Sequence, residues 1–184
     1  MIRGTDFRKI AEHYKEKLCK IKVCAFDLDG VLTAGDLQYQ GQEMQWNRTF
    51  HALDGYGFKI LMKAGLKVGI ITGGDSQSVI ERFEKNLTVD FVYRGNEDKR
   101  EGFKKILDMG YSPEEILYMG DEFFDLPLLK AAGFSVTTSI ASLEIQESVD
   151  YVSERMPGNG CAREVIDLVR YAQGIVPEIP ELEL

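Results

Sequence analysis

The run Val23-Cys24-Ala25-Phe26-Asp27-Leu28-Asp29-Gly30 constrains the fold more than any other stretch of the chain. Four apolar residues read as a buried strand, and two acids one residue apart close it. Alternate residues of a strand share a side, so Asp27 and Asp29 point the same way until a turn at Gly30 re-aims the second. Two like charges held close are costly unless a cation or a shared proton offsets them. The pattern predicts a metal-dependent site at the carboxyl end of a strand, where open α/β sheets put their ligands.

Helix and strand signals alternate along the rest of the chain. That alternation predicts an α/β fold, a doubly wound and mostly parallel sheet with helices on its faces. Expected strands are 22–27, 66–72, 89–93, 116–119, 134–137 and 151–152, and expected helices are 6–18, 54–63, 76–85, 97–109, 125–132 and 162–173. Residues 37–46 alternate around Gly41 and read as a β-hairpin insertion. Ser112-Pro113-Glu114-Glu115 carries an N-cap, a proline at the first helical position and a capping-box acid, which predicts one helical turn. Residues 1–184 read as one domain, its core from about 20 to 174, followed by an extended tail over 175–184 with two prolines and three glutamates.

Composition narrows the function classes. The hydrophobic fraction of 44% is ordinary for a globular protein, and 184 residues suffice for a sizeable core. No apolar run approaches the roughly 20 residues that span a bilayer. Met1 to Lys20 lacks the apolar stretch of a signal peptide, so a cytoplasmic setting is expected, with no membrane partner. Three cysteines, Cys19, Cys24 and Cys161, are odd in number and lack CxxC spacing, so they read as reduced thiols. A net charge of −8 argues against nucleic acid as the main partner. It leaves phosphorylated small molecules open, because a local cation can hold them.

Four segments fall at expected strand ends, which a parallel sheet brings to one edge: Asp27-Leu28-Asp29, Thr72-Gly73-Gly74, Lys99, and Gly120-Asp121 with Asp125. Glycines after a buried strand let backbone N–H groups approach a phosphate, and a helix N-terminus behind them favours an anion. Lys99 could neutralise the same phosphate. Each residue also has a plainer reading. Thr72 could be a cap, Gly73 and Gly74 a turn, Lys99 a solvated helix lysine, and Asp125 an acid at the positive end of its helix.

Taken in order, the four segments resemble the motifs of the haloacid dehalogenase superfamily of phosphohydrolases. The likeness narrows through Asp27-Leu28-Asp29-Gly30-Val31-Leu32-Thr33, Asp54-Gly55-Tyr56-Gly57, Asp125-Leu126-Pro127 and Pro157-Gly158-Asn159-Gly160-Cys161-Ala162-Arg163-Glu164. These are similar to the capless subfamily of 3-deoxy-D-manno-octulosonate 8-phosphate phosphatases, and the resemblance covers about residues 22–173. It implies a Mg²⁺-dependent sugar-phosphate phosphatase of the kind found in lipopolysaccharide biosynthesis. By resemblance Asp27 is the nucleophile and Asp29 the general acid and base. Asp27, the backbone of Asp29 and Asp121 hold Mg²⁺, and Thr72, Gly73 and Lys99 bind the phosphoryl group. Asp125 orients Lys99 or a metal-bound water, and Arg163 lies near the mouth of the site. The subfamily also implies a homotetramer in which hairpin and tail help close a neighbour's site.

Three positions depart from the subfamily pattern. Gly74 and Leu53 stand where arginines are usual, and Glu122 replaces the second acid of Gly-Asp-Asp. The two missing arginines are cations expected near a sugar acid, and Arg48, Arg94 or Arg163 could replace them. Two other functions compete with the phosphatase. One is a non-catalytic oligomerisation or regulatory module of the same fold, associated with CMP-sugar synthesis. The other is a phosphoacceptor receiver domain, against which the strand 89–93 ends without an aspartate.

Overall fold

A computed structural model describes residues 5–44 and 46–182. Residues 1–4, Gln45 of the expected hairpin and the last two residues of the tail lie outside the described residues. In chain order the elements are α1 (Phe7–His13), α2 (Lys15–Leu18), β1 (Val23–Phe26), β2 (Gln38–Tyr39), α3 (Gly41–Met44), β3 (Trp46–Asn47), α4 (Ala52–Lys63) and β4 (Lys67–Ile71). There follow α5 (Gln77–Val79), β5 (Phe91–Tyr93), α6 (Arg100–Asp108), β6 (Ile116–Met119), α7 (Leu126–Ala131), β7 (Phe134–Thr138), α8 (Leu143–Gln146), β8 (Tyr151–Ser153) and α9 (Cys161–Gln173).

Six strands form one parallel sheet in the order β5-β4-β1-β6-β7-β8. Strands buried on both faces read as continuous apolar runs, and all four residues of β1 and of β6 are buried. Alternate residues of β1 feed two cores. Cys24 and Phe26 join Phe58 of α4 and Val165, Ile166 and Val169 of α9 on one face. Val23 and Ala25 join Phe103 and Ile106 of α6 and Leu128 and Leu129 of α7 on the other. The chain leaves β1 for β4 on one side and returns to β6 on the other. The carboxyl end of β1 is therefore the topological switch point, the place where such sheets open a crevice.

Pairing runs one residue past the strands at that edge. Asp27 N–H donates to Met119 O at 2.8 Å, Thr72 N–H to Tyr93 O at 2.8 Å, and Gly120 N–H to Val136 O at 3.2 Å. The insertion between β1 and α4 is a two-stranded antiparallel ribbon, with Gln38 opposite Asn47 and Tyr39 opposite Trp46. Its turn is α3, entered through Gly41 at φ 87°, a conformation glycine adopts without steric cost.

Several helices differ from expectation. The first breaks at Tyr14, whose hydroxyl donates to Asp150 O at 2.6 Å. α6 begins at Arg100 and not at 97, because Asn96 Oδ1 accepts from Asp98 N–H at 2.9 Å and Asp98 Oδ1 from Arg100 N–H at 3.3 Å. Short polar side chains compete with the helix for backbone groups in this way. The expected helix over 76–85 is regular only in α5 and continues over Ile80–Asn86 with a wider turn. Val79, Phe83 and Leu87 are all buried at four-residue spacing. An ordinary helix would swing residues four apart off line by about 40°, and a wider turn offsets that drift. α8, between β7 and β8, is a short helix that the sequence pattern does not signal.

Candidate active site

At the end of β1 the chain turns sharply through residues 28–32, with Gly30 at φ 82°. A methyl group on Gly30 would overlap Asp121 Oδ2, so both the backbone angle and the space require glycine. Asp27 is buried at the strand end, and Lys99 Nζ lies 2.8 Å from its Oδ1. Asp29 is turned outward. Its Oδ1 accepts from Thr33 Oγ1 at 3.2 Å and from Arg48 Nε at 2.7 Å, and its Oδ2 from Arg48 Nη2 at 2.7 Å.

Lys99 is wholly buried, not solvated. Its ammonium sits between Asp27 and Asp125, 2.6 Å from Asp125 Oδ1, and 4.4 Å from the centroid of the Phe124 ring. Asp125 also accepts from Tyr118 OH at 2.6 Å through Oδ1, and from the N–H groups of Asp121 and Glu122 at 3.1 Å each through Oδ2. Its four lone-pair sites are thereby filled. Gly120 lets this carboxylate close in, since a Cβ there would stand 2.5 Å from Asp125 Cγ.

Carboxylate oxygens of Asp27, Asp121 and Asp125 lie within 4.8 Å of one another. Three carboxyl groups around one ammonium would, if all were ionised, carry two negative charges in excess. Burial pushes the Asp27 carboxyl up, Lys99 opposes that shift and Asp125 adds to it. Burial and the Asp125 charge push Asp121 up to about 7. Asp121 Oδ1 is buried with no hydrogen-bond partner. An orphaned buried carboxylate oxygen in an all-oxygen donor set suits a hard divalent cation such as Mg²⁺. Asp27 and Asp121 have oxygens free for it, whereas those of Asp125 are taken.

Thr72 is buried one residue past β4, the strand beside β1, and its Oγ1 accepts from Gly74 N–H at 3.1 Å, so its own hydroxyl proton is available to a ligand. Of the predicted residues, Asp27, Lys99, Asp121 and Asp125 meet directly. Arg163 does not join them. Its side chain pairs within its own helix, Nε donating to Asp167 Oδ1 at 2.9 Å, and its backbone N–H donates across to Asp54 Oδ1 of α4 at 2.7 Å. Arg94 is held by Asp75 and Glu84. Arg48 is the one of the three candidate cations that reaches Asp29. The sequence offers it only as one of three, because its place beside Asp29 depends on how the ribbon folds back over the sheet edge. Tyr118 gives no sequence signal beyond an apolar strand, and its hydroxyl is placed by β6.

A model of the haloacid dehalogenase-like hydrolase family matches residues 75–165. The chain is 32% identical over 176 residues to the 3-deoxy-D-manno-octulosonate 8-phosphate phosphatase of Salmonella typhi, covering 95% of this chain and 93% of that one. This chain belongs to that branch of the haloacid dehalogenase-like hydrolases. Solved structures of the branch share the fold. The enzyme from Moraxella catarrhalis, in complex with a magnesium ion, a phosphate ion and a KDO molecule, superposes with a TM-score of 0.83 at 30% identity, over 89% of this chain and 93% of that one. The cobalt-bound form of the Haemophilus influenzae phosphatase gives 0.80 at 34% identity, over 86% and 92%. The doubly wound haloacid dehalogenase-like sheet expected from the sequence is thus the fold of the branch.

Proposed function

We propose that this protein is a Mg²⁺-dependent phosphatase that releases phosphate from a phosphorylated sugar acid of the 3-deoxy-D-manno-octulosonate 8-phosphate class. The observation that carries the reading is the buried Lys99 held between Asp27 and Asp125, beside an Asp121 whose Oδ1 has no partner. A structural turn pair has no need of that arrangement, and a non-catalytic module has no reason to keep it. The relatives' activity supports the same reading.

In this mechanism Lys99 occupies Asp27 Oδ1, and the other oxygen of Asp27 attacks phosphorus in line. The bond from phosphorus to the sugar oxygen breaks, its electron pair stays on that oxygen, and Asp29 delivers a proton to it. Asp29 then takes a proton from water, whose oxygen attacks phosphorus and releases Asp27 and phosphate. Thr72 Oγ1, the Gly73 N–H and Lys99 bind phosphoryl oxygens, and Asp125 holds Lys99 in place. Asp27, the Asp29 carbonyl and Asp121 would hold Mg²⁺, which supplies charge neutralisation for the phosphoryl group.

The same reading places the enzyme in the cytoplasm, and among the described residues no helix is long and apolar enough to cross a membrane. It also makes the protein a homotetramer. Exposed Tyr39 and Trp46 on the ribbon and exposed Val176, Ile179 and Leu182 on the tail support self-association, which sedimentation would read directly.

The functional test is phosphate release with Mg²⁺ from octulosonate 8-phosphate, a nonulosonate 9-phosphate, neutral sugar phosphates and p-nitrophenyl phosphate. We expect turnover of a sugar acid and, for Asp27→Asn, a loss of kcat of about 10³-fold or more. Normal turnover by Asp27→Asn would sink the nucleophile assignment. No turnover of any substrate would favour the non-catalytic module.

A further inference from the structure

Arg48 enters the site from the ribbon, one residue beyond β3, and its side chain is 5% exposed. Its Nε and Nη2 form a fork on the two oxygens of Asp29, at 2.7 Å each. Its Nη1 donates to Ser76 Oγ at 2.8 Å and, more weakly, to Trp46 O at 3.4 Å. An arginine has five N–H donors. Four have partners here, and the fifth, on Nη2, has none among the described residues.

Gly74 leaves room beside that donor. A Cβ at position 74 would stand 2.9 Å from Arg48 Nη2 and 3.5 Å from Asp29 Oδ2. A side chain at 74 would crowd the guanidinium where Nη2 and Asp29 Oδ2 meet. On Asp29, Oδ1 already accepts two bonds, from Arg48 and Thr33, and Oδ2 accepts one. The free lone pair of Oδ2 and the free N–H of Nη2 are therefore neighbours. One can serve the leaving oxygen while the other holds a second group of the same substrate.

We propose that Arg48 is the specificity-determining cation of this site, binding the carboxylate of a sugar acid through Nη2 while its fork positions Asp29. The proposal rests on the phosphatase reading above. A carboxylate is the group an arginine holds best, through short charge-assisted bonds. A neutral sugar offers only hydroxyls and gains less from the same contact. The alternative is that Arg48 only fastens the ribbon to the sheet edge.

Steady-state kinetics of Arg48→Ala, Arg48→Lys and Gly74→Ala separate these. The substrates are octulosonate 8-phosphate and p-nitrophenyl phosphate, which has no carboxylate and a leaving group that needs little protonation. For Arg48→Ala the expected result is a rise in KM for the sugar acid of about 10- to 100-fold. Its loss in kcat/KM should exceed the loss on p-nitrophenyl phosphate at least tenfold. Arg48→Lys should recover part of the KM, because it keeps the charge but not the fork. Gly74→Ala, which crowds Nη2 without removing it, should raise KM for the sugar acid in the same direction and keeps the test open should Arg48→Ala misfold. Equal losses on both substrates, or an unchanged KM for the sugar acid in Gly74→Ala and Arg48→Ala, would overturn the proposal. A wild-type protein that turns over neither substrate would fail the phosphatase reading itself, and is told apart by that.

Discussion

Asp54 shows how much a single buried carboxyl can weigh. It is 3% exposed, its Oδ1 accepts from Arg163 N–H at 2.7 Å, and its Oδ2 has no partner. Burial pushes its carboxyl up to about 6, against the opposing charges of His51, Arg155 and Arg163. In the unfolded chain the group titrates near 3.8. Between those values the folded protein binds more protons than the unfolded one, so this group's contribution to stability falls as pH rises from about 4 to about 6 and stays low above that. Asp54→Asn keeps an acceptor for Arg163 and removes the charge. It should stabilise the protein at pH 8 by about 2 kcal/mol, and little at pH 4, in urea unfolding at the two pH values. Equal effects at both would show that the charge is not what matters. The sequence marks Asp54 only through the Asp-Gly resemblance. Its orphaned oxygen exists because α9 closes over the first turn of α4, and no local pattern records that.

Among the elements, ribbon and tail both carry apolar residues left exposed in the described chain, as do Phe123, Ile140 and Leu143 elsewhere. Tyr39 and Trp46 lie with ring centroids 5.2 Å apart and stay half exposed. In the tail Val176, Ile179 and Leu182 are 81%, 84% and 82% exposed. The three stand at three-residue spacing in a proline-bearing segment without regular secondary structure. We expect the chain ended after Gly174 to sediment as a smaller species than the full chain. An unchanged mass would remove the tail from the assembly. The periodic strands β1, β4 and β6 and the helices α4 and α9 were legible to within a residue or two, because burial on one or both faces repeats at a fixed spacing. The start of α6 was not legible, since Asn96 and Asp98 tie up backbone N–H groups that a helical pattern would assign otherwise. The wider turn over Ile80–Asn86 was equally hidden. Its cause is which residues the core accepts, and not helix propensity.

For the molecule as a whole, the acid cluster makes folding and metal binding one problem. Asp27, Asp121 and Asp125 share a crevice with a single ammonium, so a divalent cation relieves repulsion in the folded state that the unfolded chain does not have. Mg²⁺ at about 100 times its Kd should add about 2.7 kcal/mol of stability and raise Tm by about 5–10 °C. Asp121→Asn should lose most of that rise, and a Tm indifferent to Mg²⁺ in the wild type would count against the site. The sequence by itself determined the sheet, its apolar strands and the acids, threonine and lysine at their ends, because strand burial and tight turns are local and leave a fixed spacing of residue types. Tertiary structure alone decided which cations serve those acids. Lys99 became buried, Arg163 went to Asp167, Arg94 to Asp75 and Glu84, and Arg48 came to Asp29 across an insertion. Long flexible side chains reach several acids from one backbone position, and only the packed neighbours select among them.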